Sequence, residues 1–86
     1  MDSWHKPPLV CIEILSPDDT LHRLRERVDD YLAMGVENVW VLDPSDRRAY
    51  VVGLRGFVEP DQLHLAAPGT DILLDLQTVF ALMDEI

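Results

Sequence analysis

Apolar positions occupy both faces of the stretch Pro8-Leu9-Val10-Cys11-Ile12-Glu13-Ile14-Leu15. Strand side chains alternate, so Val10, Ile12 and Ile14 share one face and Leu9, Cys11, Glu13 and Leu15 share the other. A strand over residues 8–15 that is apolar on both faces is expected in the middle of a sheet covered on both sides. Glu13 breaks the pattern. An ionised carboxylate among apolar neighbours is costly unless it is paired, hydrogen-bonded or bound to a cation. Three compensations are open: a metal ion, Arg27 or Arg23 from a packed helix, or water if the strand lies at an edge.

The period then changes from two to 3.6. Leu21, Leu24, Val28, Tyr31 and Leu32 fall at i, i+3, i+7, i+10 and i+11, the stripe of an amphipathic helix over residues 20–34. Ser16-Pro17-Asp18-Asp19 is a helix-start signal, with Asp18 and Asp19 near the positive end of the dipole, although a turn with the helix starting at Asp19 fits equally well. Gly35 suits the position just after the helix. Arg27 sits at the flank of the stripe, with Arg23 on the same flank one turn earlier.

Alternation returns in Asn38-Val39-Trp40-Val41-Leu42-Asp43. Pro44-Ser45-Asp46-Arg47 is a turn, and residues 48–54 form the second arm of a hairpin. Residues 57–58 and 63–65 are short strand candidates around the Arg55-Gly56 and Pro68-Gly69 turns. Asp75 caps a final helix over 76–85, with Leu76, Val79, Phe80 and Met83 on its apolar face. The order β-α-β-β-(β)-α is that of an α/β domain, and its β-α-β crossover makes the first two strands parallel. The first strand opens the chain yet reads as central. Its other edge therefore awaits a later strand, another chain or strands upstream.

Composition narrows the functional classes. Sixteen Asp and Glu against seven Lys and Arg give a net charge of −9, which disfavours tight nonspecific nucleic-acid binding. One cysteine, Cys11, excludes an internal disulfide framework and reads as a small core residue in a reducing, cytoplasmic setting. No apolar run reaches the ~20 residues of a membrane span. His5, His22 and His64 are too scattered for a metal-site spacing. There is neither a Gly-rich phosphate loop nor a Ser nucleophile elbow. Tyr31 and Trp40 read as core, and Asp43 as a turn residue.

Three segments carry a resemblance in order: Pro7-Pro8-Leu9-Val10-Cys11-Ile12-Glu13-Ile14-Leu15-Ser16-Pro17, then Arg27-Val28-Asp29-Asp30-Tyr31-Leu32-Ala33-Met34-Gly35-Val36, then Val39-Trp40-Val41-Leu42-Asp43-Pro44. Together they resemble the Uma-two family of the restriction-endonuclease-like PD-(D/E)XK superfamily. The resemblance implies a mixed β-sheet with a β-α-β crossover, a hairpin and a C-terminal helix. It also implies Mg²⁺-dependent hydrolysis of DNA phosphodiesters. Glu13 matches the acid of the (D/E)XK half-motif and would ligate the metal together with the backbone carbonyl of Ile14. Hard cations take such oxygen ligands, and a metal-bound water is a better nucleophile. Leu15 stands at the motif's lysine position. In the family that lysine is placed on the following helix, where this chain has Arg27, a phosphate or transition-state cation that does not readily cycle a proton.

The chain departs from the pattern in one further respect. The family's Asp lies on a strand some twenty residues upstream of the Glu, and Asp2 is a poor substitute for it. Residues 1–86 therefore resemble the C-terminal half of a family member, a single truncated domain that is inactive or weak alone. Loss of an upstream strand would leave an open sheet edge, so a homo-oligomer through that edge is expected. The alternative function is a noncatalytic dimerising module that keeps the fold but not the chemistry.

Overall fold

A computed structural model describes residues 7–53 and 56–84. Eight elements follow in order: β1 (Val10–Ile14), α1 (Leu21–Ala33), β2 (Asn38–Asp43), β3 (Arg48–Gly53), β4 (Gly56–Val58), β5 (His64–Ala66), β6 (Leu73–Asp75) and α2 (Leu76–Met83). The expectations for residues 1–6, 54–55 and 85, Asp2 and His5 among them, lie outside the described residues. No helix among the described residues is long and apolar enough to cross a membrane.

The main sheet has the order β1-β2-β3-β4, with β1 and β2 parallel and the later pairs antiparallel. The α/β class, the crossover, the hairpin and the capped final helix match the reading of the sequence. The β5-β6 hairpin forms a separate two-stranded sheet, and β6 has no counterpart among the expected strands. Leu73–Asp75 is too short for its period to register, and it pairs with an equally short β5.

Two apolar layers sandwich the main sheet. On one face Trp40, Leu42 and Ala49 meet Leu65, Ala67, Leu76 and Phe80. On the other, Val39 and Val41 meet Leu24, Val28 and Val36, with Cys11, Leu15, Tyr31, Tyr50, Val52 and Phe57 around them. The core role expected for Trp40 is met, since it is 1% exposed.

The first strand corrects an expectation. β1 is the outer strand, paired among the described residues with β2 alone, and Ile12 and Ile14 are 44% and 52% exposed. The α2 layer covers β2 and β3 and reaches β1 only at Val10. A second correction concerns the helix stripe. Leu24 and Val28 are buried, while Leu21 and Leu32 are exposed. The helix is rolled so that its buried stripe centres near Leu24, Val28 and Tyr31, which turns the Arg27 flank towards β1.

Candidate functional site

The site is built by what α1 carries across β1. Ser16 to Asp19 form a tight turn with Pro17 at its second position, a favoured place for proline. The Asp19 N–H donates to the Ser16 carbonyl at 3.0 Å. In return the Ser16 N–H and hydroxyl donate to Asp19 Oδ2 at 2.9 and 3.2 Å. Thr20 then caps α1, its hydroxyl accepting from the Arg23 N–H at 3.2 Å. Asp18 and Asp19 are therefore turn residues, not the first turn of the helix.

At the other end, the Gly35 N–H donates to Leu32 and the Val36 N–H to Tyr31, at 3.0 and 3.1 Å. This is a Schellman closure, with Gly35 in the left-handed region at φ 91°. Both ends of α1 are thus fixed. Arg27 and Tyr31, one turn apart, face β1 side by side.

Glu13 lies between them. The Tyr31 hydroxyl donates to Glu13 Oε1 at 2.6 Å, and Arg27 Nε donates to Glu13 Oε2 at 3.0 Å. Arg27 Nη1 also donates to Asp19 Oδ1 at 3.3 Å. A continuous polar chain therefore runs Tyr31–Glu13–Arg27–Asp19–Ser16. Its charged members are largely covered: the side chains of Glu13, Asp19 and Arg27 are 13%, 20% and 34% exposed. Of the three compensations open for Glu13, the structure contains the arginine, and Arg27 rather than Arg23 supplies it. Tyr31 is both a half-buried neighbour of the α1 core and a hydrogen-bond donor to the carboxylate.

The linked charges shift one another. The Ser16 backbone N–H does most to hold the Asp19 carboxyl below its usual range; burial opposes this, and the Arg27 charge adds to it. Burial works against the Arg27 charge, but Glu13 and Asp19 outweigh it and raise the guanidinium above its ordinary value. The Tyr31 hydroxyl is raised, first because its proton is held by Glu13, then by burial and by the Glu13 charge.

Ile14 follows Glu13 with its backbone on the other side of the strand. The Leu15 N–H donates to the Leu42 carbonyl at 2.9 Å, and Asn38 Nδ2 donates to the Leu9 carbonyl at 3.0 Å. Odd-numbered residues of β1 therefore turn their backbone groups towards β2. By alternation Ile14 turns its carbonyl to the open edge.

At the carboxyl ends of β1 and β2, a shallow cleft of about 280 Å³ is lined by Ser16, Asp19, Thr20, Asp43 and Ser45, among others. Such crevices commonly host ligands in α/β sheets. Asp43 does the turn work expected of it, its Oδ1 accepting from the Ser45 N–H at 3.1 Å. A larger groove between α1 and β3–β4, lined by Val28, Leu32, Val52 and Phe57 among others, does not include Glu13.

The sequence reading missed two site members, Asp19 and the Tyr31 hydroxyl. The signal for Asp19 was the Ser16-x-x-Asp19 spacing, which a turn and a helix start share. Among the described residues no group of three or more His, Cys, Asp or Glu is arranged to hold a metal ion.

A family model described as "Putative restriction endonuclease" (Uma2) matches residues 2–80. A solved structure described as "a putative nuclease belonging to DUF820" from Anabaena variabilis ATCC 29413 superposes with a TM-score of 0.67 at 22% sequence identity. The match covers 88% of this chain and 45% of that one, so the chain spans under half the length of that protein, and the likeness is one of fold. A search of curated proteins found no match.

Proposed function

Because the chain belongs to the Uma2 family described as "Putative restriction endonuclease", we propose that it is a restriction-endonuclease-like domain directed at DNA phosphodiesters. In this reading it carries half of a cleavage site, Glu13 with Arg27. The observation that carries the reading is the position of Glu13. It stands where the resemblance puts the acid of the half-motif, it lies under α1, and it is held at 3.0 Å by Arg27, the residue that the resemblance aligns with the family's lysine.

Mg²⁺ is the cofactor the family resemblance implies. The donor set does not fit it within one chain. Both Glu13 oxygens accept hydrogen bonds, and the Arg27 guanidinium, 3.0 Å away, holds the place a cation would contest. Asp19, the neighbouring carboxylate, is bound to the same guanidinium. The Ile14 carbonyl alone adds no charge.

The residues have definite roles in this reading. Tyr31 and Arg27 orient Glu13, and Asp19 orients Arg27. With its charge shared between two carboxylates, Arg27 is poorly available to a phosphate. The chain alone is therefore expected to leave DNA intact. Supercoiled plasmid incubated with Mg²⁺ or Mn²⁺ tests this. Persistence of the supercoiled form is expected. Robust conversion to nicked circles that disappears in Glu13→Ala would overturn the half-site reading.

A second reading, a noncatalytic module that dimerises through its sheet edge, is favoured by the exposed Ile12 and Ile14 on an outer strand. Both readings accommodate a dimer, and only the first assigns chemistry to Glu13.

A further inference from the structure

We propose that Ser16 and Arg27 form a binding site for a phosphodiester oxyanion, and that the Asp19 carboxylate fills this site as a tethered stand-in. DNA as the source of the phosphodiester rests on the nuclease reading above; the anion site rests on the geometry. Its donors, and the carboxylate that occupies them, all lie within residues 16–27.

Asp19 is held as a bound anion is held. Its Oδ2 accepts from the Ser16 backbone N–H at 2.9 Å and from the Ser16 hydroxyl at 3.2 Å, and its Oδ1 accepts from Arg27 Nη1 at 3.3 Å. A backbone N–H, a hydroxyl and a guanidinium are the donor types that contact phosphates in protein–DNA complexes. A phosphodiester presents what the carboxylate presents, two oxygens that share one negative charge, and the guanidinium fork accepts either. The surroundings favour an anion: the Asp19 carboxyl is held below its usual range, most by the Ser16 N–H, with burial opposing and the Arg27 charge adding.

The local fold does not require that charge. The turn is closed by the backbone bond from the Asp19 N–H to the Ser16 carbonyl, and α1 is capped by Thr20. A neutral residue would serve both.

Of the two carboxylates on Arg27, Asp19 is the one placed to leave. Its bond is the longer, 3.3 Å against 3.0 Å for Glu13. Its side chain is the more exposed, 20% against 13%. Asp19 lines the cleft at the carboxyl ends of β1 and β2 together with Ser16, Thr20 and Ser45, and Glu13 does not. A phosphodiester arriving there would replace one monoanion by another, so Arg27 would keep two negative neighbours and Glu13 would stay in place. Asp43, on the same lining, adds a negative charge that favours this monoanion over a doubly charged phosphate monoester. A carboxylate tethered so closely competes at an effective concentration of roughly millimolar or above. It lowers the apparent affinity for an external anion in proportion to the time it holds the site. Asp19 is thus an autoinhibitory contact on the half-site.

Dimethyl phosphate, a minimal phosphodiester, tests the site without DNA. It is titrated into the chain while the Ser16 amide and the Arg27 Nε–H are followed by NMR. In Asp19→Ala both signals should shift together and saturably, with an apparent affinity about tenfold or more above that of the unmodified chain. Asp19→Asn, which keeps an acceptor for the Ser16 N–H, should show a smaller gain. Asp18→Asn removes the same charge one residue away and should show none. Adding Arg27→Gln to Asp19→Ala should abolish the gain. No gain in whichever Asp19 variant keeps the native amide spectrum, or an equal gain in Asp18→Asn, overturns the proposal. Loss of the fold in both Asp19 variants would make the carboxylate a structural part of the turn and overturn it as well. Fluorescence anisotropy of a short labelled DNA duplex separates the two readings. A gain for dimethyl phosphate with none for the duplex upholds the anion site and counts against DNA as its source.

Discussion

β1 and β2 are paired residue for residue, Cys11 with Val39, Ile12 with Trp40, Glu13 with Val41 and Ile14 with Leu42. Both are apolar on both faces. Yet Val39, Trp40, Val41 and Leu42 are at most 1% exposed, while Ile12 and Ile14 are about half exposed. The difference is one of neighbours. Among the described residues, β2 has a strand on each side and a layer on each face, whereas β1 is paired with β2 alone and is covered chiefly on the α1 side. Apolar residues on both faces state what a strand is able to bury; the elements around it decide what it does bury. The strand with the incomplete surroundings is also the one that holds the carboxylate.

The largest effect expected from this contrast is on stability. Trp40→Ala should cost about 3–5 kcal/mol, as other large core truncations do. Ile12→Ala, one strand over and half exposed, should cost under about 1 kcal/mol at concentrations that keep the chain monomeric. Urea unfolding followed by circular dichroism measures both, and equal losses would mean that β1 is as enclosed as β2.

The contrast also explains what the sequence made legible. Period-two and period-3.6 patterns, Asp75, Gly35 and the hairpin turn were enough for most elements, because each is decided within a few residues. Position in the sheet was not, since it depends on which strands pair across the whole chain. The same limit governs the site. Glu13 and Arg27 stood out because a charge in an apolar strand and a cation at a helix flank are local anomalies. Asp19 did not, because its role comes from a turn that brings its carboxylate to Ser16 and Arg27. The Tyr31 hydroxyl was hidden behind a ring that does pack at the core's edge.

A smaller effect should separate the polar side of β1 from its apolar side. Tyr31→Phe keeps the ring and removes the donor to Glu13, and should cost about 1 kcal/mol, the usual net worth of a hydrogen bond. Val39→Ala on β2 removes no hydrogen bond and should act through packing alone. Only Tyr31→Phe should change its cost when combined with Glu13→Gln, which a double-mutant cycle reads directly.

Dependence on pH should sharpen the comparison further. Asp19 has its pKa lowered in the folded chain. Its contribution is complete above the unfolded carboxyl value of about 3.9 and is lost as pH falls through the lower folded value. Asp19→Asn should flatten that acid limb. Tyr31 has its pKa raised above the ordinary 10.0. Its contribution is complete below that value and is lost as pH rises through the higher folded one. The Tyr31 ring carbon signal in an NMR titration should move at a pH above 10, and Glu13→Gln should bring it down.

The smallest signal and the most direct test is divalent-ion binding at β1. The central claim is that α1, through Arg27, compensates Glu13 in the place a metal ion would. Mn²⁺ titration by calorimetry into the chain should give no saturable signal. Adding Arg27→Gln frees Glu13 and Asp19 together and should create weak binding that Glu13→Gln removes. Saturable Mn²⁺ binding with Arg27 intact, abolished by Glu13→Gln, would contradict the claim and make Glu13 a metal ligand in the single chain.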